Sequence, residues 1–195
     1  MSSKSIKTRE AILRAALKLL EAGQGQGVRV ADIAKEAGIS RQAVYLHFPK
    51  RAELLIATTR YLDDVRDADT RLAASRKAAS GLERLDAFIE AWGNYIPEIY
   101  GIAKAIFAMQ DTDEAAKLAW ADRMQAVRHG CDAAVQALTR DGVLSTDNTP
   151  EQATDILWTM LSVRNWEQLT RDCGWSQQQY IETIKRLSRR LLVAD

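Results

Sequence analysis

The sequence predicts an all-α protein: a three-helix head built around a helix-turn-helix, joined by a fourth helix to a larger helical body. Three observations carry this. Apolar residues recur at i, i+3, i+4 and i+7 along most of the 195 residues, the spacing that turns one face of a helix to a core. The stripes are separated by recognisable caps and stops. Only 3 prolines and 10 glycines interrupt them, few enough for long helices. At 47% apolar residues the chain lies outside the disordered class and can fill one sizeable core or two small ones.

Residues 1–7 form a short polar arm with Lys4 and Lys7, able to track phosphates or simply to fray. The first helix runs from Thr8 to Ala22 on a stripe of Ile12, Ala15, Ala16, Leu19 and Leu20, and stops at the loop GQGQG, residues 23–27. The stretch from Val28 to Arg51 then reads as a helix-turn-helix. Val30, Ile33, Ala34 and Ala37 make the inner face of its first helix, with the small Ala34 at the crossing. Gly38 supplies the left-handed conformation of the turn, Ser40 is the N-cap of the second helix, and Val44 anchors that helix. Its N-terminal end exposes Arg41, Gln42, Ala43 and Tyr45. Phe48-Pro49 ends it, because proline has no N–H to donate and restricts the residue before it.

A fourth helix opens at Lys50 or Arg51 and runs through Leu54, Leu55, Tyr61, Leu62 and Val65 towards Leu72. Its first amides and positive dipole end lie beside two basic residues, a natural phosphate clamp. Arg66 to Ser80 loses the stripe and is expected to be helix end and linker. Gly81 to Tyr95 resumes a helix on Leu82, Leu85, Phe88, Ile89 and Trp92, closed by Pro97, with a short helix from about Glu98 to Met109. The longest helix, Asp113 to Arg140, is expected to be capped by Thr112 and to stop at Asp141-Gly142; Trp120, Met124, Val127, Cys131, Ala134 and Leu138 form one seam along it. Thr149-Pro150-Glu151-Gln152 is a capping-box start for a helix to about Arg171. Its apolar arc is wide enough for two neighbours. Ser176 and Gln179 repeat the cap before a last helix carrying Tyr180, Ile181, Ile184, Leu187, Leu191 and Leu192.

Charge is unevenly spread. Residues 1–60 hold eleven Lys/Arg against five Asp/Glu, a net of +6, so the rest carries −5 within a whole-chain charge of +1. A basic third that coincides with a helix-turn-helix is the electrostatic footprint of a nucleic-acid-binding head on a body that stays off the nucleic acid.

Over residues 8–55 the chain resembles the DNA-binding domain of the tetracycline-repressor-like (TetR) family of transcriptional regulators. The motifs that carry the resemblance are Asp32-Ile33-Ala34, Ala37-Gly38-Ile39-Ser40, Tyr45-Leu46-His47-Phe48 and Leu54-Leu55. Two departures are local: Lys50-Arg51 stands where the family usually has Ser-Lys after Phe-Pro, and Arg29 where it usually has Thr. Both keep or add positive charge. The resemblance implies a DNA-binding domain at 1–55 and an effector-binding and dimerisation domain at 56–195. In the first, Arg41, Gln42 and Ala43 would read bases, and Arg29, Ser40, Tyr45, His47, Lys50 and Arg51 would complete the DNA-contacting set. In the second, the aromatic-rich middle would form the wall of a cavity for a small, largely apolar ligand: Trp92, Tyr95, Phe107, Trp120, Met124 and Trp158, with Lys104 or Arg164 as polar anchor. Aromatics at helical spacing are also ordinary core. The last two helices resemble the pair through which family members dimerise, with Ile156, Met160, Val163, Tyr180, Ile184, Leu187 and Leu191 at the homodimer interface.

No catalytic or metal-binding constellation accompanies these features. Two histidines, His47 and His129, exclude most triads and metal schemes, and neither a phosphate-binding glycine loop nor a nucleophile elbow occurs. No cofactor and no enzymatic activity are expected. Cys131 and Cys173 are far apart and outside any CxxC pattern. The competing readings are a regulator sensing redox state or a protein partner through the body and, from another class, a helical enzyme. The opening MSSKSIKTRE lacks the apolar segment of a signal peptide and no run of eighteen apolar residues occurs, so a cytoplasmic protein is expected. Its partners would be an operator DNA duplex, a small-molecule effector and a second copy of itself.

Overall fold

A computed structural model describes residues 3–22 and 28–194. All regular elements among them are helical. In order they are α1 (Ser3–Ala22), α2 (Val30–Glu36), α3 (Arg41–His47), α4 (Arg51–Val65), α5 (Ala68–Arg71), α6 (Ala73–Lys77), α7 (Gly81–Met109), α8 (Glu114–Arg140), α9 (Pro150–Met160), α10 (Val163–Glu167), a π-helical turn (Gln168–Asp172) and α11 (Gln177–Leu192). None is long and apolar enough to cross a membrane. The expected glycine-rich loop at 23–27 lies outside the described residues.

The chain divides into two compact units. One comprises Met1–Arg66 and Ile99–Met124, the other Asp67–Glu98 and Gln125–Asp195, so α7 and α8 each contribute to both. In the first unit Ile12, Leu20, Ile33, Val44, Leu54 and Leu55 form a core that also takes in Ile102, Ile106, Met109, Ala116 and Ala119. The helix-turn-helix therefore shares its core with parts of α7 and α8. In the second unit the core is Leu85, Phe88, Ile89, Ile96, Cys131, Val135, Leu138, Leu157, Leu161 and Ile184. Gly81 lets the start of α7 lie against the α8 backbone, where a Cβ would come within 2.7 Å of the Ala137 carbonyl and the Leu138 nitrogen. Asp141 closes that contact by accepting the Gly81 N–H at 2.6 Å. The same hydrogen bond, followed by that from Arg140, holds the Asp141 carboxyl below the usual carboxylate range.

Several local expectations change. The arm is helical from Ser3, although the buried stripe of α1 begins only at Ile12 and Ile6 is exposed. The linker at 66–80 contains the short helices α5 and α6, set off from α4 by Asp67 in the left-handed region at φ 52°. Pro97 does not end a helix but sits inside α7. A helical proline leaves the carbonyl four residues earlier without its N–H. That carbonyl, Gly93 O, accepts from Gln177 Nε2 at 2.7 Å, while Trp166 Nε1 donates to Gln177 Oε1 at 2.8 Å. The cap of α8 is Asp113, not Thr112: its Oδ1 accepts from the backbone of Ala115 at 3.0 Å and Ala116 at 3.3 Å. The expected single helix from Thr149 is interrupted at Leu161-Ser162, because Ser162 caps a new start by accepting from Asn165 N at 3.1 Å. The Leu161 carbonyl is taken up by Trp92 Nε1 at 2.9 Å. The reciprocal Thr149–Gln152 capping box and the Ser176 cap are both formed.

Candidate nucleic-acid interface

The head presents α3 in a fixed orientation. Val44 is completely buried, and Phe48 is 4% exposed with the Arg9 guanidinium 5.0 Å from its ring centre. Gly38 turns the chain at φ 68°, and the Ser40 hydroxyl accepts from Ala43 N at 3.1 Å. Ala34, 4% exposed, allows α2 and α3 to cross closely. α1 braces this pair through Lys18, whose ammonium lies 2.5 Å from Glu36.

Among the nine residues expected to contact DNA, Arg41, Gln42, Tyr45 and Lys50 are exposed on α3 and the following junction. Arg41 lies over the Tyr45 ring, 5.6 Å from its centre, and Nη2 reaches the phenol at 3.4 Å. This i, i+4 pair stiffens two long side chains before any DNA arrives. Ala43 and His47 are half-buried. Arg29 is exposed and is bonded to Asp32 at 3.0 Å, an exposed pair that a phosphate can displace cheaply. The hydroxyl of Ser40 is committed to its cap. No side chain caps the N-terminus of α4, leaving its first amides beside Lys50.

Arg51 departs from expectation. Its Nη2 and Nε donate to the Val28 carbonyl at 2.9 and 3.2 Å, and Nη1 is paired with Asp113. Only a quarter of the side chain is exposed. Instead of projecting towards a phosphate, it joins Val28, two residues before α2, to the start of α4 and the cap of α8. Two further links join α4 to α8: Arg60 with Asp122 at 2.5 Å, and Arg123 with Asp63.

One residue outside the expected set also stands out. Leu46 is 80% exposed on α3. Its flanking motif carries the family resemblance, but only the burial pattern shows where position 46 faces. A surface groove lined by Ser3, Lys4, Lys7, Thr8, Ala11 and Ile39 lies between the start of α1 and the turn.

The eight expected ligand-wall residues fall into two groups of four, one per compact unit. Phe107 and Trp120 meet edge to face at 5.0 Å, in the unit that also holds Lys104 and Met124. Lys104 is exposed and donates to the Tyr100 hydroxyl at 3.0 Å. In the other unit Trp92 and Tyr95 meet edge to face at 5.8 Å, Trp158 is half-buried and Arg164 exposed. Tyr95 is 4% exposed and belongs to the core. Of the expected interface residues, Tyr180, Ile184 and Val163 already pack inside their own unit and cannot add much area to a dimer. Ile156 and Met160 are half-buried, and Leu187 and Leu191 are exposed at 40% and 46%. Among the described residues no three His, Cys, Asp or Glu side chains cluster as metal ligands.

Comparison with known proteins agrees with this geometry. Residues 12–58 match the model of the bacterial regulatory proteins of the tetR family. The nucleoid occlusion factor SlmA of Shewanella denitrificans is 35% identical over 63 residues; the match spans 32% of either chain. Over nearly its whole length the chain has the fold of a putative transcriptional regulator from Saccharomonospora viridis, solved with choline, at 19% identity and TM-score 0.73, covering 97% of this chain and 99% of that one. It equally resembles NalD, the secondary repressor of the MexAB-OprM multidrug efflux pump in Pseudomonas aeruginosa, at 22% identity and TM-score 0.67, covering 99% of both. Residues 12–58 thus form a helix-turn-helix head that matches the tetR family of bacterial regulatory proteins, and the chain as a whole shares the fold of the solved neighbours.

Proposed function

We propose that the protein is a homodimeric repressor that binds a palindromic operator in the cytoplasm and leaves it when a small, largely apolar ligand occupies the helical body. The observation that carries this reading is the outward face of α3, where Arg41, Gln42 and Tyr45 are exposed beside Lys50 in a chain whose first 60 residues carry a net charge of +6. Arg41 suits guanine O6/N7, Gln42 adenine N6/N7 and Ala43 a thymine methyl. Tyr45, His47, Lys50 and Arg29 suit phosphates, as do the uncapped amides of α4. Two such heads on a two-fold axis fit half-sites about one helical turn or slightly more apart. The functional division is 1–55 for reading DNA and 56–195 for effector and dimer.

The effector reading draws on the two aromatic pairs and on the S. viridis neighbour, which holds choline. The repressor reading draws on NalD. Release follows from linkage: a ligand dissociates DNA only by as much as it prefers the conformation that binds DNA poorly. A route is available inside the first compact unit, where Arg51–Asp113, Arg60–Asp122 and Arg123–Asp63 couple α4 to α8. Displacing the start of α8 would shift α4 and, through Val28, the start of α2. Redox sensing through Cys131 is disfavoured, because its side chain is completely buried and burial pushes its thiol well above the usual range.

The test is selection of duplexes from a random pool by the purified protein at near-physiological salt. Enrichment of a palindrome is expected. Salt-sensitive retention of DNA with no enriched sequence would remove the operator reading.

A further inference from the structure

Leu46 has the largest fractional exposure among the exposed large apolar side chains described, at 80%. Its direction follows from helix geometry. At about 100° per residue, positions 42 and 46 both lie about 160° from position 44. Since Val44 points fully into the core, Gln42 and Leu46 form the outermost line of α3, one turn apart. Arg41 and Tyr45 flank that line on one side, His47 lies on the other and Lys50 follows at the junction, hydrogen-bonding and charged groups that favour an anionic, polar partner over a second protein surface. On such a partner an isolated leucine needs one apolar target. The major groove offers a single apolar projection, the C5 methyl of thymine.

We propose that Leu46 is a specificity-determining residue that packs on a thymine methyl in each half-site, at a base pair neighbouring the one Gln42 addresses. The proposal rests on the operator reading above. α3 advances about 6 Å between positions 42 and 46, while successive base pairs are about 3.4 Å apart. The two side chains therefore address different pairs within about two steps. Leu46 reads an A·T pair through shape and methyl burial where Gln42 reads its pair through hydrogen bonds. A cytosine at the thymine position leaves Leu46 facing a polar groove edge without the methyl.

The experiment uses the duplex recovered by random-pool selection and replaces its half-site thymines one at a time with deoxyuridine, which lacks only the methyl. At one position wild-type protein is expected to lose about fourfold in affinity per half-site, the scale of one buried carbon. Leu46→Ala should bind the unmodified site correspondingly more weakly and show no further loss at that same position. Gln42→Ala should keep the methyl dependence while changing preference at the neighbouring pair. The exposed position means that Leu46→Ala leaves thermal unfolding unchanged, so weaker binding is not misfolding. If wild-type protein binds every singly substituted duplex alike, or if Leu46→Ala retains the same methyl dependence, the proposal is overturned. Recovery of no sequence from the pool would overturn the operator reading itself, and this proposal with it; a palindrome without a methyl effect removes Leu46 alone.

Discussion

Arg51→Ala separates two roles that the sequence could not distinguish. As a strut, the guanidinium makes two hydrogen bonds to the Val28 carbonyl, at 2.9 and 3.2 Å, and an ion pair with Asp113. A hydrogen bond from a charged donor contributes about 1.5–3 kcal/mol net. The two bonds share one acceptor, and both partners of the ion pair are about a quarter exposed, so the contributions do not simply add. Asp113 retains the Ala115 and Ala116 amides after truncation and is not left as a stranded charge. The expected loss is therefore about 2–4 kcal/mol, a large share of the ~5–15 kcal/mol by which a typical domain is stable. Urea unfolding without DNA measures it, and binding at several salt concentrations supplies the second axis. A strut lowers the unfolding midpoint and leaves the slope of log K against log salt unchanged. A phosphate contact does the reverse, reducing the slope by about one for each head. An unchanged midpoint with a reduced slope would refute the strut and restore Arg51 to the DNA surface.

Three further outcomes are expected. Gly81→Ala should cost about 1–3 kcal/mol in thermal or urea unfolding, because the added Cβ meets α8 backbone, which cannot swing aside as a side chain could; an unshifted transition would show that α7 does not lie so close. Burial raises the pKa of the Asp122 carboxyl, but the hydrogen bonds from Arg60 and Arg123 outweigh it and hold the group below its ordinary value. A depressed folded pKa gives stability that is present above the unfolded value of about 3.9 and is lost as pH falls through the folded one. Asp122→Asn should thus flatten the fall of the urea midpoint between about pH 5 and about pH 2, and parallel curves for the two proteins would contradict the assignment. Leu187→Asp, at an exposed position of the α11 stripe, should halve the sedimenting mass; unchanged mass would remove α11 from the interface.

The helix-turn-helix was legible because its determinants are near neighbours in sequence. Ala34, Gly38, Ser40 and Val44 lie within eleven residues, and each acts through local backbone geometry or a contact one helix away. What escaped depended on distant partners. Pro97 was read as a stop because proline removes a donor, but Gln177, eighty positions later, replaces it at Gly93. The wide apolar arc from Thr149 to about Arg171 reads as one helix, and only Trp92 taking the Leu161 carbonyl shows why a break at Ser162 is tolerated. Arg51 carried the charge of a phosphate ligand, and its burial depends on Val28 and on Asp113, sixty-two positions away. For the aromatic residues the sequence offered composition without arrangement: it could not tell that Phe107 and Trp120 belong to one compact unit and Trp92 and Tyr95 to the other.

The sharing of the head's core with residues 99–124 constrains how such regulators can be recombined. A chimera that exchanges only the first 55 residues with those of another regulator would transplant Leu54 and Leu55 without Ile102, Ile106, Met109, Ala116 and Ala119, which complete their packing. The foreign head would meet a surface that evolved beside a different α4, and it would lose the Arg51–Asp113 and Arg60–Asp122 pairs unless the donor happened to supply matching charges. On the proposed reading, operator specificity is set at a few exposed positions of α3. The head that carries them is a discontinuous module, inherited with the ends of two body helices or at a cost to its own stability.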